Sequence, residues 1–535
     1  MKLHAALARA LASYDVRTMF GLIGDANMFF VHSFVEDGGT YLGAAHEAGA
    51  MFMGFGYASR TGELGVVTVT HGPALTNTLT GLVEGVRARV PMLLIAGDTA
   101  TGSRTNIQDI AQRDVVLPTG AGFEQARTPE SALGDLAVAI RRAVVERRPV
   151  VFNIPADHMW RDIEYRDVPL DLPQPQRIGP DPEAIQRAVE LISAAKRPVV
   201  LAGRGAVASR TSLLRLADRI GAPVATTLKA RDLFRGDPFD LGVVGGLAGP
   251  VTRQIIDSAD LLISFGASLN AYTTVKGELL SGRRGLVVDL ETRVLPGLEG
   301  IMLQADAGAA AEALADALEK RSVPSSGHRT AAMAARLAGQ NAPVQRPVTA
   351  AGTVDVETAL RRLDDILPER RVVVSDGGRF MMESLRHIRP GDPTAFVLPL
   401  NFGSIGMGMG AAVGAAAGGP TDPVIMVCGD GGFMHGGLGE FATAVRAGLD
   451  IIVLVCNDGG YGAEHVQFVE RGLDPAISLF AWPDLAIVAE ALGGEGLTVR
   501  SMDDLENAAK IIADRDRPLL IDLRLDVHHM TPMPH

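Results

Sequence analysis

Along most of the chain, short aliphatic and β-branched runs alternate with stretches whose apolar positions recur every three to four residues. In the first third, runs at 18–24, 41–45, 65–70, 91–97 and 150–154 predict strands, and 74–89 and 129–147 predict helices. Strands that are apolar throughout, rather than alternating, predict parallel sheets covered on both faces by helices. The pattern stops at Val168-Pro169-Leu170-Asp171-Leu172-Pro173, a stretch that reads as a linker, and resumes with runs at 198–203, 223–227, 261–266 and 285–289. It stops again at Val323-Pro324-Ser325-Ser326-Gly327 and stays weak to about Gly352. A third series follows at 371–375, 395–399, 424–428, 451–456 and 519–523. The expected fold is α/β, with three doubly wound parallel-sheet domains over 1–165, 183–325 and 351–535.

Composition narrows the function. The 535 residues are 47% hydrophobic and 21% charged, which fits a packed chain of several domains. The net charge of −12, with no block of Lys and Arg, argues against a nucleic-acid partner. Cys428 and Cys456 each end an apolar run, so neither a disulfide framework nor a cysteine metal site is expected. At the N-terminus Leu3, Leu7 and Leu11 mark one helix face, and Arg9 falls where a signal peptide needs an apolar core. No apolar run reaches the roughly 18 residues of a membrane span, so a cytoplasmic protein without a membrane partner is expected.

Two strand ends carry the strongest chemistry. The run at 424–428 closes on Gly429-Asp430-Gly431-Gly432-Phe433, and the run at 451–456 on Asn457-Asp458-Gly459, with Asn457 27 residues after Asp430. Open α/β sheets hold ligands beyond the carboxyl ends of their strands. Asp430 offers a carboxylate, Asn457 an amide oxygen and the glycine-rich turn a backbone carbonyl, hard donors that suit Mg²⁺ beside phosphate oxygens. A helix beginning near Phe433 is expected to aim free N–H groups at the same anion. Asp-Gly and Asn-Asp-Gly also form ordinary turns. Their recurrence at two strand ends favours the metal.

In these residues the sequence resembles the thiamine-diphosphate (ThDP) enzymes of the pyruvate decarboxylase and acetolactate synthase group, whose signature is Gly-Asp-Gly followed at a similar distance by Asn. The resemblance spans nearly the whole chain and implies units in the order pyrimidine-binding, central and diphosphate-binding. It implies that Asp430, Asn457 and the Gly459 carbonyl hold Mg²⁺, with Gly429, Gly431, Gly432 and Tyr461 around the diphosphate. Glu47, in His46-Glu47-Ala48-Gly49-Ala50, matches the glutamate that the family sets against the aminopyrimidine ring to prepare thiazolium C2 for loss of its proton. Locally, Glu47 also suits a helix N-terminus. Asn401-Phe402-Gly403-Ser404-Ile405-Gly406 matches the loop that bends ThDP into a V. Ile405 is implied as the wedge between the rings, and Gly403 as the acceptor for the aminopyrimidine. Gly406-x-Gly408-x-Gly410 also looks like a dinucleotide loop, but the acidic residue required about 20 positions later is absent as such.

Further positions bear on which chemistry is run. Asp25, in Gly24-Asp25-Ala26-Asn27, resembles the proton-relay aspartate of the pyruvate and indolepyruvate decarboxylases, and locally it also fits a helix N-cap. His71, in Thr70-His71-Gly72-Pro73, resembles the active-site histidine of benzoylformate decarboxylase, and imidazole is a natural proton donor near neutral pH. Gln108 matches the glutamine near the cofactor of acetolactate synthases. The lysine those synthases carry a few residues past the proline equivalent to Pro118 is missing from Thr119-Gly120-Ala121-Gly122-Phe123. Glu464, in Tyr461-Gly462-Ala463-Glu464, resembles a second acid over the substrate, with a first-turn helix position as the plain alternative. Ser268 stands where FAD-bearing relatives tend to have arginine, so FAD is possible but not expected.

The resemblance implies a ThDP- and Mg²⁺-dependent lyase or transferase that cleaves or forms the C–C bond beside a carbonyl, as a 2-oxo acid decarboxylase or carboligase. Acetolactate synthase-like ligation with FAD is a second reading. A catalytically silent regulatory homologue is a third, and the intact Glu47, Asp430 and Asn457 speak against it. The expected partners are a small carbonyl substrate and further copies of the chain, as a homodimer or homotetramer in which Glu47 of one chain meets Asp430 of another.

Overall fold

A computed structural model describes residues 1–174, 176–340, 349–419 and 422–529. Three six-stranded sheets follow one another along the chain, with neighbouring strands parallel throughout. The first holds β1 (Thr18–Gly21), β2 (Thr40–Gly43), β3 (Gly65–Val69), β4 (Met92–Asp98), β5 (Gly122–Gln125) and β6 (Pro149–Pro155). The second holds β7 (Pro198–Ala202), β8 (Val224–Thr226), β9 (Asp240–Val243), β10 (Leu261–Phe265), β11 (Arg283–Asp289) and β12 (Leu298–Gln304). The third holds β13 (Val372–Ser375), β14 (Phe396–Val397), β15 (Val424–Gly429), β16 (Ile451–Asn457), β17 (Glu495–Val499) and β18 (Leu519–Arg524).

The first sheet runs β2-β1-β3-β4-β6-β5 and the third β14-β13-β15-β16-β18-β17, the same winding strand for strand. Their switch points lie between β1 and β3 and between β13 and β15. The central sheet, β12-β11-β10-β7-β8-β9, reverses between β7 and β10. A doubly wound sheet opens a crevice at such a point, beyond the carboxyl ends of the two strands.

The expected three parallel-sheet units are therefore present, and the differences are local. Four strands were not expected: β5, β9, β12 and β17. All four are outermost in their sheets, and each is only partly buried, so none needs a continuous apolar run. The helix expected over 74–89 is two helices, Pro73–Thr76 and Leu79–Ala88. Within the weak stretch after 323 lies a helix, Ala331–Gly339, N-capped by Thr330, with Met333 and Leu337 packed on the central domain.

The first and third domains share one apolar core, in which Met51, Met53, Val67 and Leu82 join Met409, Val413, Met426 and Val453. The seam of that core is the crossing of two helices, Glu47–Thr61 and Gly408–Ala417. A Cβ on Gly56 would lie 2.0 Å from the Ala411 carbonyl oxygen, and one on Gly414 would lie 1.8 Å from that of Met53. Only glycine lets the two backbones come this close. Overpacking a tight core typically costs 1–3 kcal/mol, and here the obstacle is backbone that cannot rotate away. Gly56→Ala and Gly414→Ala should each destabilise the protein by about 3 kcal/mol or more in urea unfolding. Gly134→Ala, on the helix Ala132–Glu146 with open space around it, should be neutral or stabilising by up to about 1 kcal/mol.

Candidate active site

β15 ends at Gly429, and the chain turns directly into helix at Asp430, earlier than the expected start near Phe433. The helical path runs through Asp430–Gly432, a wide π turn at Phe433–Gly437 and the helix Leu438–Arg446. π turns recur where a functional site interrupts a helix. Asp430 is 1% exposed, and its Oδ2 accepts a 2.7 Å hydrogen bond from Trp482 Nε1. Asn457 closes β16, also 1% exposed. Its Nδ2 donates to Asp522 Oδ1 at 2.8 Å, which turns Oδ1 toward the Gly459 N–H at 3.2 Å. Gly459 has φ +77° and its carbonyl accepts from Phe480 N–H at 2.8 Å, leaving a second lone pair.

A second layer presses on this turn. Tyr461 lies so close over Gly431 that a Cβ there would be 2.6 Å from its ring. Tyr461 meets Phe480 edge-on at 5.0 Å, and Phe480 stacks on Trp482 at 4.8 Å. Burial pushes the Asp430 carboxyl above its ordinary range. It does the same to Asp458, which the charge of Asp430 raises further and Arg379 opposes. A buried and a partly buried carboxylate beside an amide oxygen and a carbonyl form a donor set whose charge a divalent cation would balance. The residues present fit Mg²⁺.

The loop before the helix Gly408–Ala417 forms the adjoining wall. Gly403 adopts φ +89° with open space around it, and Gly406 adopts φ +82° against the His435 ring. Asp376, just after β13, accepts from Gly406 N–H at 2.8 Å and from Gly377 N–H, and burial pushes its carboxyl up to about 6. Gly403, Ile405, Gly429, Asp430, Gly431, Gly432, Tyr461 and Glu464 all line a cleft of about 1320 Å³ that continues to the central domain's switch point at Gly205, Gly266 and Ser268. Glu464 is exposed in the first turn of the helix Gly462–Glu470. The later glycines, 410 and 414, serve the helix crossing rather than a dinucleotide.

In the first domain Glu47 opens the helix Glu47–Thr61, and its largely buried carboxylate accepts from Asn77 Nδ2 at 3.0 Å. Asp25 is not the cap of the next helix. That position belongs to Asn27, while Asp25 accepts from Thr70 Oγ1 at 2.8 Å. His71 is buried, with Nδ1 3.8 Å from Asp25 Oδ1 and Nε2 3.4 Å from Asn106 Nδ2. Gln108 donates its N–H to Asn106 Oδ1, and its own carbonyl sits over Gly72 where a Cβ would clash at 2.2 Å. The fold thus gathers Asp25, His71 and Gln108 beyond β1 and β3, and Asp376 and Asp430 beyond the equivalent β13 and β15. Among the described residues, the walls of the Asp430 cleft do not include Glu47, Asp25, His71 or Gln108.

Sequence reasoning missed several residues that shape these sites. Gln112 accepts from Gly72 N–H at 2.8 Å and fixes the turn after His71. Asp376 had a signal, because Ser375-Asp376-Gly377-Gly378 repeats the strand-end grammar of Gly429-Asp430-Gly431-Gly432. Trp482 had none, being 52 residues from the carboxylate it holds.

Comparison with known proteins identifies all three domains. Residues 1–116 match the N-terminal TPP-binding domain of thiamine pyrophosphate enzymes, 185–318 their central domain and 376–523 their C-terminal TPP-binding domain. The chain is 28% identical to a probable 2-ketoarginine decarboxylase of Pseudomonas aeruginosa, covering 97% of this chain and 93% of that one. It is 26% identical to a sulfoacetaldehyde acetyltransferase of Alcaligenes xylosoxydans xylosoxydans, covering 95% and 90%. The crystal structure of benzoylformate decarboxylase from Polynucleobacter necessarius shares the fold over 99% of both chains, with a TM-score of 0.81 at 20% identity. With a matching domain around each of its three sheets, the chain belongs to the thiamine-diphosphate-dependent enzymes.

Proposed function

We propose that the protein is a ThDP- and Mg²⁺-dependent decarboxylase or carboligase acting on a 2-oxo acid, with its active site completed between two copies of the chain. The observation that carries this reading is the division of the site. Asp430, Asp458 and the Gly403–Ile405 loop line one cleft, with Asn457 and Gly459 on either side of Asp458 in the chain, whereas Glu47 and the Asp25–His71 pair are not among its walls. A second chain placing its first domain over this cleft would bring the two sets together.

When bound, ThDP would supply a nucleophilic carbon that attacks the carbonyl and a thiazolium ring that takes up the electron pair left behind as CO₂ departs. Asp430, Asn457 and the Gly459 carbonyl would hold the metal, and Gly403 and Ile405 would hold the cofactor's bend. Glu47 would hold a proton against the aminopyrimidine, with Asn77 keeping its carboxylate in place. His71 would deliver a proton to the substrate carbon, with Asp25 and Thr70 beside its Nδ1. Burial of His71 keeps bulk water from competing for that proton.

The reading is tested by incubating the protein with ThDP and Mg²⁺ and a panel of 2-oxo acids, alone and with aldehyde acceptors, and following CO₂ and carbonyl products. Turnover of at least one acid, lost on chelation of the metal, is expected. Silence across the panel overturns the reading.

Glu47→Gln should still bind ThDP but slow exchange of its C2 proton by about 10²–10⁴, the scale of losing an acid–base group, as read by NMR of quenched samples. His71→Ala should leave that exchange nearly intact while turnover falls by a comparable factor. Mixed Glu47→Gln and Asp430→Ala chains should regain activity that neither has alone, because one of the two shared sites in a mixed dimer is intact. Failure of complementation, together with sedimentation as an active monomer, would remove the shared site.

A further inference from the structure

Glu84 lies on the helix Leu79–Ala88 of the first domain and is 1% exposed, yet no cation pairs with it among the described residues. Its two oxygens are used by a single stretch of the third domain. Oε1 accepts from Asn401 N–H at 2.9 Å and from Asn401 Nδ2 at 2.5 Å, and Oε2 accepts from Phe402 N–H at 2.7 Å. From the other side, Lys229 of the central domain donates to Asn401 Oδ1 at 2.6 Å. Three domains therefore meet on one asparagine, whose amide is oriented by a carboxylate at its nitrogen and an ammonium at its oxygen. Two residues further on is Gly403, and four further on is Ile405.

We infer that Glu84, seconded by Lys229 through Asn401, is a positioning residue that presets the cofactor-bending loop. This rests on the ThDP reading above. The loop is anchored at its far end by Asp376 on Gly406 N–H, so Gly403 and Ile405 are held between two buried carboxylates. A carboxylate suits the Glu84 position because it offers about four acceptor sites, enough for all three N–H donors, while an amide has one oxygen. Arg87 lies over the Phe402 ring at 4.7 Å and steadies the same turn. Burying an unpaired carboxylate and a lysine at a domain junction is costly, and apolar side chains would join the domains more stably. What the charges add is a fixed direction for Asn401 and Phe402. Burial, followed by the charge of Arg204, lowers Lys229 to about 8, and the charge of Glu84 works against that fall.

The test uses full-length Glu84→Gln, Lys229→Met and the double variant. ThDP affinity is measured by calorimetry at saturating Mg²⁺, and backbone amide exchange is measured on the ThDP-free proteins. Glu84→Gln should raise the ThDP dissociation constant about tenfold or more, the scale of losing charge-assisted hydrogen bonds. It should also speed exchange at Asn401 and Phe402 while the Leu79–Ala88 helix keeps its protection. Lys229→Met should weaken ThDP less, and the double variant should fall short of the product of the singles because both act on Asn401. A ThDP affinity for Glu84→Gln within twofold of the wild type overturns the inference, even if its melting temperature falls, since Glu84 would then only join domains. Should Glu84→Gln fail to fold, Lys229→Met decides, and an unchanged affinity there overturns it equally. A wild-type protein that binds no ThDP removes the cofactor reading itself, a result distinct from either.

Discussion

The glycine-lined crossing of the helices Glu47–Thr61 and Gly408–Ala417 is the contact on which the rest of this structure depends. Gly56 and Gly414 put backbone against backbone, so the first and third domains are one packed body rather than two tethered ones. Glu47 stands at the N-terminus of one helix, and the Gly403–Gly406 loop leads into the other. A third contact tightens the joint. The buried carboxylate of Glu440 accepts from Ala45 and His46 N–H at 3.2 Å, just ahead of Glu47. The crossing thus fixes the start of one helix, at Glu47, relative to the loop that leads into the other.

Around that joint the protein spends buried carboxylates on N–H groups instead of on cations. Asp376 holds Gly406, Glu84 holds Asn401 and Phe402, Glu440 holds the turn before Glu47, and Asp430 takes the Trp482 indole. The first three pairings satisfy backbone N–H groups in loops that have no ladder partners of their own. The result is a set of loops with fixed backbone before any ligand arrives, and preorganisation of this kind reduces the ordering cost of binding. Burial also raises the proton affinity of Asp430 and of Asp458, the latter helped by the charge of Asp430.

The common winding of the first and third sheets gives their two clusters of polar residues a shared logic. In both, polar residues follow the two strands that flank the switch point, Asp25 and His71 in one and Asp376 and Asp430 in the other. The geometry of a doubly wound sheet offers an open crevice at that place, and each domain has filled it with different chemistry. The central sheet switches elsewhere in its strand order, and its crevice joins the same cleft at Gly205 and Gly266.

What the sequence by itself determined was whatever is written in neighbouring residues. Buried strands such as β15 and β16 are unbroken apolar runs because both faces are covered, and Gly-Asp-Gly, Asn457 and His46-Glu47 mark strand ends and a helix start within a few positions. The strands that escaped, β5, β9, β12 and β17, are edge strands whose partial exposure removes the need for such a run. The tertiary structure alone decided the partners. Nothing local distinguishes Glu84 from a solvated helical glutamate, because the amides it holds are 317 and 318 residues away. Trp482 reads as an ordinary apolar residue until the chain returns it to Asp430, and Asp25 reads as a cap until Thr70 and His71 arrive beside it. Hydrogen bonds act over about three ångströms of space and are indifferent to distance along the chain, so residues that are functional only through a remote partner leave no mark in the sequence around them.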